Sequence, residues 1–204
     1  MRSPRRLSLS RPIFYALASR LSAGLMLSVF LMFGLSSCGG WGNRAARNTA
    51  DENINVPSDI ENAETNVKIT VPDGWIALGD GRRESADIYA AYPAKSLYAK
   101  VLSESDRVLT QFDIENNAEQ YRWLIKEELD RFERETRTGL TSLNSNPAVQ
   151  YEMRGTVDGV PVVYLHTTVK GSEDYYQVVG WTTQASYEEN QATLKMIIES
   201  FRGT

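Results

Sequence analysis

Val149-Gln150-Tyr151-Glu152-Met153-Arg154, then Asp158-Gly159, Val160 to Val169, Gly171-Ser172-Glu173 and Tyr175 to Thr182, is the stretch that decides the fold. Val149, Tyr151 and Met153 alternate with Gln150, Glu152 and Arg154, the two-residue period of a strand with one face buried. Asp-Gly is a hairpin turn signal, because both positions tolerate a positive φ. Gly171-Ser172-Glu173 turns the chain a second time. Strands joined by such short turns must run antiparallel, so residues 149–182 read as a three-stranded meander.

Upstream, Val67, Ile69 and Val71 alternate with Lys68 and Thr70 as an opening strand. Pro72-Asp73-Gly74 is a turn, and Trp75-Ile76-Ala77-Leu78 reads as a second strand. Asp80-Gly81 is another turn. Ile88 to Tyr92 and Tyr98 to Ser103 give a third and a fourth strand.

Ala118, Tyr121, Ile125, Leu129 and Phe132 then recur at helical spacing, with Asn117 and Gln120 placed as a capping box and Gly139 as a stop. Glu127→Arg131, Asp130→Arg134 and Glu133→Arg137 are acid-before-base pairs at i,i+4, which extends the expected helix to Gly139. Ser186 and Glu189 make a second box, opening a C-terminal helix with the stripe Leu194, Ile197, Ile198 and Phe201. Two amphipathic helices must each cover a sheet face. The expected class is α+β: an antiparallel sheet with a long central helix and a C-terminal helix on its two faces, an α/β/α sandwich.

This domain is assigned to residues 66–204, and a different chemistry precedes it. Residues 1–20 carry Arg2, Arg5, Arg6, Arg11 and Arg20 and no acid, and Leu21 to Leu35 are fifteen residues without a charge. That run matches a signal-peptide core of roughly 7–15 residues better than a spanning helix of about 20. It ends in Leu35-Ser36-Ser37-Cys38, with the only cysteine of the chain. The combination resembles the lipobox of bacterial lipoproteins. The resemblance implies removal of residues 1–37, a diacylglycerol on Cys38, and a protein anchored to a membrane outside the cytoplasm. That is the periplasmic or thylakoid-lumenal face, or the cell surface. Residues 38–65, rich in Gly, Asn, Asp, Glu and Ala, are read as the lipidated cysteine and a polar tether. As a coil it would span roughly 30 Å.

Charge narrows the partners. The chain has 22 basic and 26 acidic residues. Five basic residues and no acid precede Cys38, so the remainder is 17 − 26 = −9. Such a surface repels a phosphate backbone, and nucleic acid is excluded as a partner.

A family resemblance also enters. Val71-Pro72-Asp73-Gly74-Trp75, the late hairpins and the closing Ile197-Ile198-Glu199-Ser200-Phe201 resemble the PsbP-like group, which includes photosystem II extrinsic proteins and the DcrB-like bacterial lipoproteins. It covers roughly 66–204. It implies an antiparallel sheet between helices and a non-catalytic role in assembling or supporting membrane complexes. The resemblance assigns no binding residue.

Side chains suited to catalysis or metal binding are few. His166 is the only histidine and lies mid-strand; no G-x-S-x-G elbow accompanies it, so it reads as a structural residue rather than a hydrolase base. Zinc needs several His or Cys ligands, and the domain lacks them. Glu173-Asp174 is a turn pair without a twelve-residue calcium loop. No catalytic residue, metal or cofactor is expected. Gly79-Asp80-Gly81-Arg82-Arg83 has no following helix to bind phosphate and reads as a hairpin tip. Its Arg82 and Arg83 are either solvated or dock an acidic partner.

Tyr175 and Tyr176 must point to opposite faces, which leaves at least one as a candidate interface anchor. The expected function is a membrane-anchored, non-enzymatic lipoprotein that binds a membrane protein complex, photosystem II in a photosynthetic host. An envelope module for a small ligand or ion is the alternative.

Overall fold

The computed structural model describes residues 57–78, 86–105 and 111–203. Their strands are β1 (Ser58–Asn62), β2 (Val67–Val71), β3 (Ile76–Ala77), β4 (Ile88–Tyr92), β5 (Leu97–Glu104), β6 (Arg131–Arg137), β7 (Ser142–Leu143), β8 (Asn146–Val157), β9 (Val160–Lys170) and β10 (Tyr175–Thr183). Their α-helices are α1 (Ile114–Glu128) and α2 (Tyr187–Ser200).

The main sheet runs β3-β4-β5-β10-β9-β8-β6, with β7 attached to β8, and β1 pairs with β2 separately. Every pairing is antiparallel. The meander forms as read. Asp158 and Gly159 take φ of 49° and 77° in a two-residue turn between Val157 and Val160, as the twist of a hairpin demands.

Alternation along each strand sends neighbouring side chains to opposite layers. On β8, Tyr151 lies under Arg122 of α1, whereas Glu152 receives the hydroxyl of Tyr187 from α2. Val163, Leu165, Tyr176 and Val178 join Leu194, Ile197 and Ile198 in the core beneath α2. Each fully buried aliphatic side chain among them contributes roughly 1.5–3 kcal/mol. His166 and Gln177 face α1 instead. The α/β/α layering expected from the sequence is the one observed.

Four readings change. First, α1 ends at Glu128: Leu129 is extended with ψ of 136°, and residues 131–137 are a strand. The twelve-residue β8 offers an outer hydrogen-bonding edge, and β6 fills it from Arg131 opposite Thr156 to Arg137 opposite Tyr151, with an irregularity between Phe132 and Arg134. The i,i+4 pairs therefore do not form. Arg131 pairs with Glu133 at 2.9 Å and Arg137 with Glu115 at 2.7 Å.

Second, the caps differ. Asp113 caps α1 by accepting from Asn116 N at 2.9 Å. Thr183 caps the 3-10 turn Gln184–Ser186 that leads into α2, where Ser186 makes no side-chain cap.

Third, the opening strand pairs with a segment assigned to the tether. In β1 and β2, Asp59 accepts from Lys68 Nζ at 3.0 Å and from Thr70 Oγ1 at 2.7 Å. Ser58–Asn62, read as tether, is therefore a strand of the folded region.

Fourth, the strand read over Trp75 to Leu78 shortens to Ile76–Ala77 and pairs with β4, while β2 lies outside that sheet. β2 is tied to the end of α2 by reciprocal bonds between Lys68 and Arg202, both 2.8 Å.

Candidate functional site

Several residues singled out in the sequence lie outside the described residues: Leu35, Ser36, Ser37 and Cys38 of the lipobox, and Arg82 and Arg83 with the turn Asp80-Gly81. Two others are corrected. Tyr175 and Tyr176 point to opposite layers as expected, but each is only 1% exposed. The sheet is covered on both sides at this point. The Tyr175 hydroxyl donates to the carbonyl of Phe112, at the entrance to α1, at 2.8 Å. Tyr176 packs its ring 5.3 Å from Phe201. Neither can serve as a partner anchor. Glu173 is exposed in its turn, where Gly171 N bonds Asp174 O at 2.8 Å. Among the described residues no three His, Cys, Asp or Glu side chains gather as for a metal.

A buried polar layer lies between α1 and the sheet. His166 is 0% exposed and stacks on Tyr121 of α1, with ring centroids 5.0 Å apart. Its Nε2 lies 2.8 Å from Gln177 Oε1. Thr168 Oγ1 donates to the same oxygen at 2.7 Å, and Gln177 Nε2 donates to Asn117 Oδ1 at 2.8 Å. Burial drives the His166 pKa down to about 4; the Gln177 bond opposes this and the charge of Arg122 adds to it. The imidazole is therefore neutral at physiological pH. Enclosed in this way it is a structural side chain.

Arg122 lies in the same layer. Its guanidinium carbon is 3.6 Å from the centroid of Tyr151, and its Nε is 3.3 Å from Glu135 of β6. Lys126 reaches the same carboxylate at 2.9 Å. These contacts clamp α1 to the edge strand.

The other layer holds a smaller cluster. Tyr187 donates to Glu152 at 2.7 Å and Arg154 to its other oxygen at 2.8 Å. Burial alone would raise the Glu152 pKa, but these two bonds, together with the charges of Arg154 and Arg134, outweigh it and the group is lowered. Tyr187 is pushed up to about 12, by burial first and then by this carboxylate.

Two surfaces remain. An open cleft of about 330 Å³ is lined by Glu61, Asn62, Asn66, Lys68, Arg202 and Gly203. Its cations are engaged: Lys68 by Asp59, and Arg202 by the carbonyls of Glu199, Ser200 and Phe201. The second surface is the corner of α1 and β6, where Trp123 is 58% and Phe132 40% exposed. Lys126, one turn beyond Trp123, places its Nζ 4.8 Å from the Phe132 centroid. Sequence reasoning missed Trp123. The available signal was its position off the buried stripe of Ala118, Tyr121 and Ile125, where a large aromatic has no core to enter.

An antiparallel sheet between a central and a C-terminal helix is the architecture of the PsbP-like fold, and this chain has it. It is similar to the solution structure of cyanobacterial PsbP (CyanoP) from Synechocystis sp. PCC 6803, at 14% identity and a TM-score of 0.55, over 83% of this chain and 99% of that one. It is also similar to LpqN, involved in cell envelope biogenesis of Mycobacterium tuberculosis, at 15% identity and a TM-score of 0.50, over 73% and 91% of the two chains. The Saccharomyces cerevisiae Ran-binding protein Mog1p aligns with a TM-score of 0.49 at 12% identity, over 73% and 96%. No protein-family model and no curated protein sequence matches the chain. At these identities the likeness is one of fold.

Proposed function

We propose that this protein is a membrane-tethered, non-enzymatic lipoprotein that binds a membrane protein complex and supports its assembly or stability. In a photosynthetic host that complex would be photosystem II. The observation that carries the reading is the joining of one fold to one leader. A domain with the fold of cyanobacterial PsbP stands in the same chain as an upstream apolar segment ending in Leu35-Ser36-Ser37-Cys38. Likeness to LpqN, a protein of cell envelope biogenesis, supports the same compartment.

Lipid on Cys38 would hold the domain at a membrane outside the cytoplasm, since two or more acyl chains give stable anchoring where one does not. Residues 39–57 then connect the anchor to β1. The layer between α1 and the sheet is filled by Asn117, Tyr121, His166 and Gln177, which disfavours a small-molecule pocket there.

Crosslinking of the full chain in its native membranes, against a Cys38→Ala control, tests this. The expected result is one specific complex enriched with the wild type and depleted in the control. Recovery of nothing above the control would sink the reading and direct attention to binding of a small ligand or ion.

A further inference from the structure

We propose that Trp123, bracketed by Glu119 and Glu127, is the docking surface for an arginine-bearing segment of a partner protein. This rests on the reading that the chain binds a protein complex, and it names the surface and the chemistry of that contact.

The geometry comes from α1. Residues 119, 123 and 127 are four apart and share one strip of helix surface. Trp123 is 58% exposed, and both glutamates are exposed. The neighbouring charges are committed: Glu115 to Arg137, Glu135 to Arg122 and Lys126, and Arg131 to Glu133. Glu119 and Glu127 have no ion pair or hydrogen bond among the described residues. An indole face between two carboxylates that no described cation neutralises is therefore presented outward. Phe132, 40% exposed, continues the aromatic surface across Lys126 onto β6, the last strand of the sheet.

An arginine suits this strip of the helix. Its planar guanidinium stacks on an aromatic face and keeps its N–H fork free for carboxylates. The protein makes the same contact internally, where Arg122 lies 3.6 Å over Tyr151 and 3.3 Å from Glu135. Two carboxylates repel an anionic lipid surface, and a purely apolar partner would bury them without compensation. Exposed tryptophan and arginine are the side chains that dominate protein interfaces.

The test places a photoreactive benzoylphenylalanine at position 123 of the full chain in its native membranes. A second version carries it at position 196, where Met196 is 47% exposed on α2, across the sheet. Position 123 should capture one protein, through a peptide with an arginine within a few residues of the crosslink. Glu119→Lys with Glu127→Lys should cut that capture about tenfold, the scale of losing a dominant interface contact, with an unchanged Tm. Capture from position 196 alone overturns this site while leaving the proposed function standing. Capture from 123 of lipid, or of protein indifferent to the charge reversal, also overturns it. If neither position nor crosslinking of the wild type recovers a protein, the proposed function has itself failed.

Discussion

His166 Nε2 and Gln177 Oε1 lie 2.8 Å apart between β9 and β10, and this one bond decides which nitrogen of the imidazole carries the proton. Gln177 Nε2 donates to Asn117, and Gln177 Oε1 accepts from Thr168, so the oxygen is the acceptor and His166 Nε2 the donor. Nδ1 bears the lone pair, in a site with 0% exposure. Protonating it means charging a buried ring beside the Arg122 guanidinium, which is why the pKa falls from 6.5 to about 4.

Stability should drop on acidification. Between pH 6.5 and about 4 the unfolded chain binds a proton at His166 that the folded chain refuses. Stability is thus fully present above the unfolded value and is lost as pH falls through that window, by roughly 3 kcal/mol in all and about 2 kcal/mol by pH 5. Urea denaturation at pH 7 and pH 5 measures it, and His166→Gln should flatten the difference. The chain has one histidine, so its imidazole proton resonances should stay fixed from pH 8 to about 5.5. Titration near 6.5 would refute the account.

Gln177→Leu should destabilise the domain by about 3 kcal/mol. It fills the same space but leaves the His166 N–H, the Thr168 hydroxyl and the Asn117 amide oxygen to lose a buried bond. Equilibrium unfolding checks this. A loss below about 1 kcal/mol would mean the layer relaxes and re-pairs.

Gly155→Ala should loosen β6 selectively. Gly155 stands opposite Phe132, and a Cβ there would meet the Arg131 carbonyl oxygen and Leu129 Cδ1, each at 2.6 Å. Backbone cannot yield as a side-chain tip does, so a cost of about 2 kcal/mol is expected. Amide exchange should accelerate across Arg131–Arg137 while the β9–β10 pairing stays protected.

Tyr176→Ala and Trp123→Ala should separate core from surface. The first removes a 1%-exposed ring packed on Phe201 and should cost about 3–5 kcal/mol. The second removes a largely exposed ring and should stay within about 0.5 kcal/mol of the wild type. Thermal melts decide, and equal losses would contradict the burial assigned to either residue.

The meander was legible because alternation and turn chemistry agree over residues 149–182. The stripe of α2 was legible because Leu194, Ile197, Ile198 and the C-cap Phe201 are all buried. Residues 129–137 were misread because their charges satisfy helical spacing and strand alternation alike. What settles them is β8, whose outer edge needs a hydrogen-bonding partner. β1 escaped notice for a related reason. Ser58–Asn62 buries no residue fully, so no hydrophobic period marks it, and it is held by cross-strand bonds to Lys68 and Thr70. Of the candidate surface, tyrosines beside a turn looked exposed, whereas Trp123 was passed over inside a helix.

By itself the sequence determined the local choices: where the chain alternates, where Asp158-Gly159 reverses it, and which stripe of α2 faces inward. Each depends on residues near one another along the chain. Tertiary structure alone decided that 131–137 is a strand, that Tyr175 and Tyr176 are core, that His166 is locked neutral, and that Trp123 stands exposed between two carboxylates with no ion pair among the described residues. Burial, partner choice and protonation are set by groups far apart in sequence, such as Asn117 and Gln177, and only packing brings them within 3 Å.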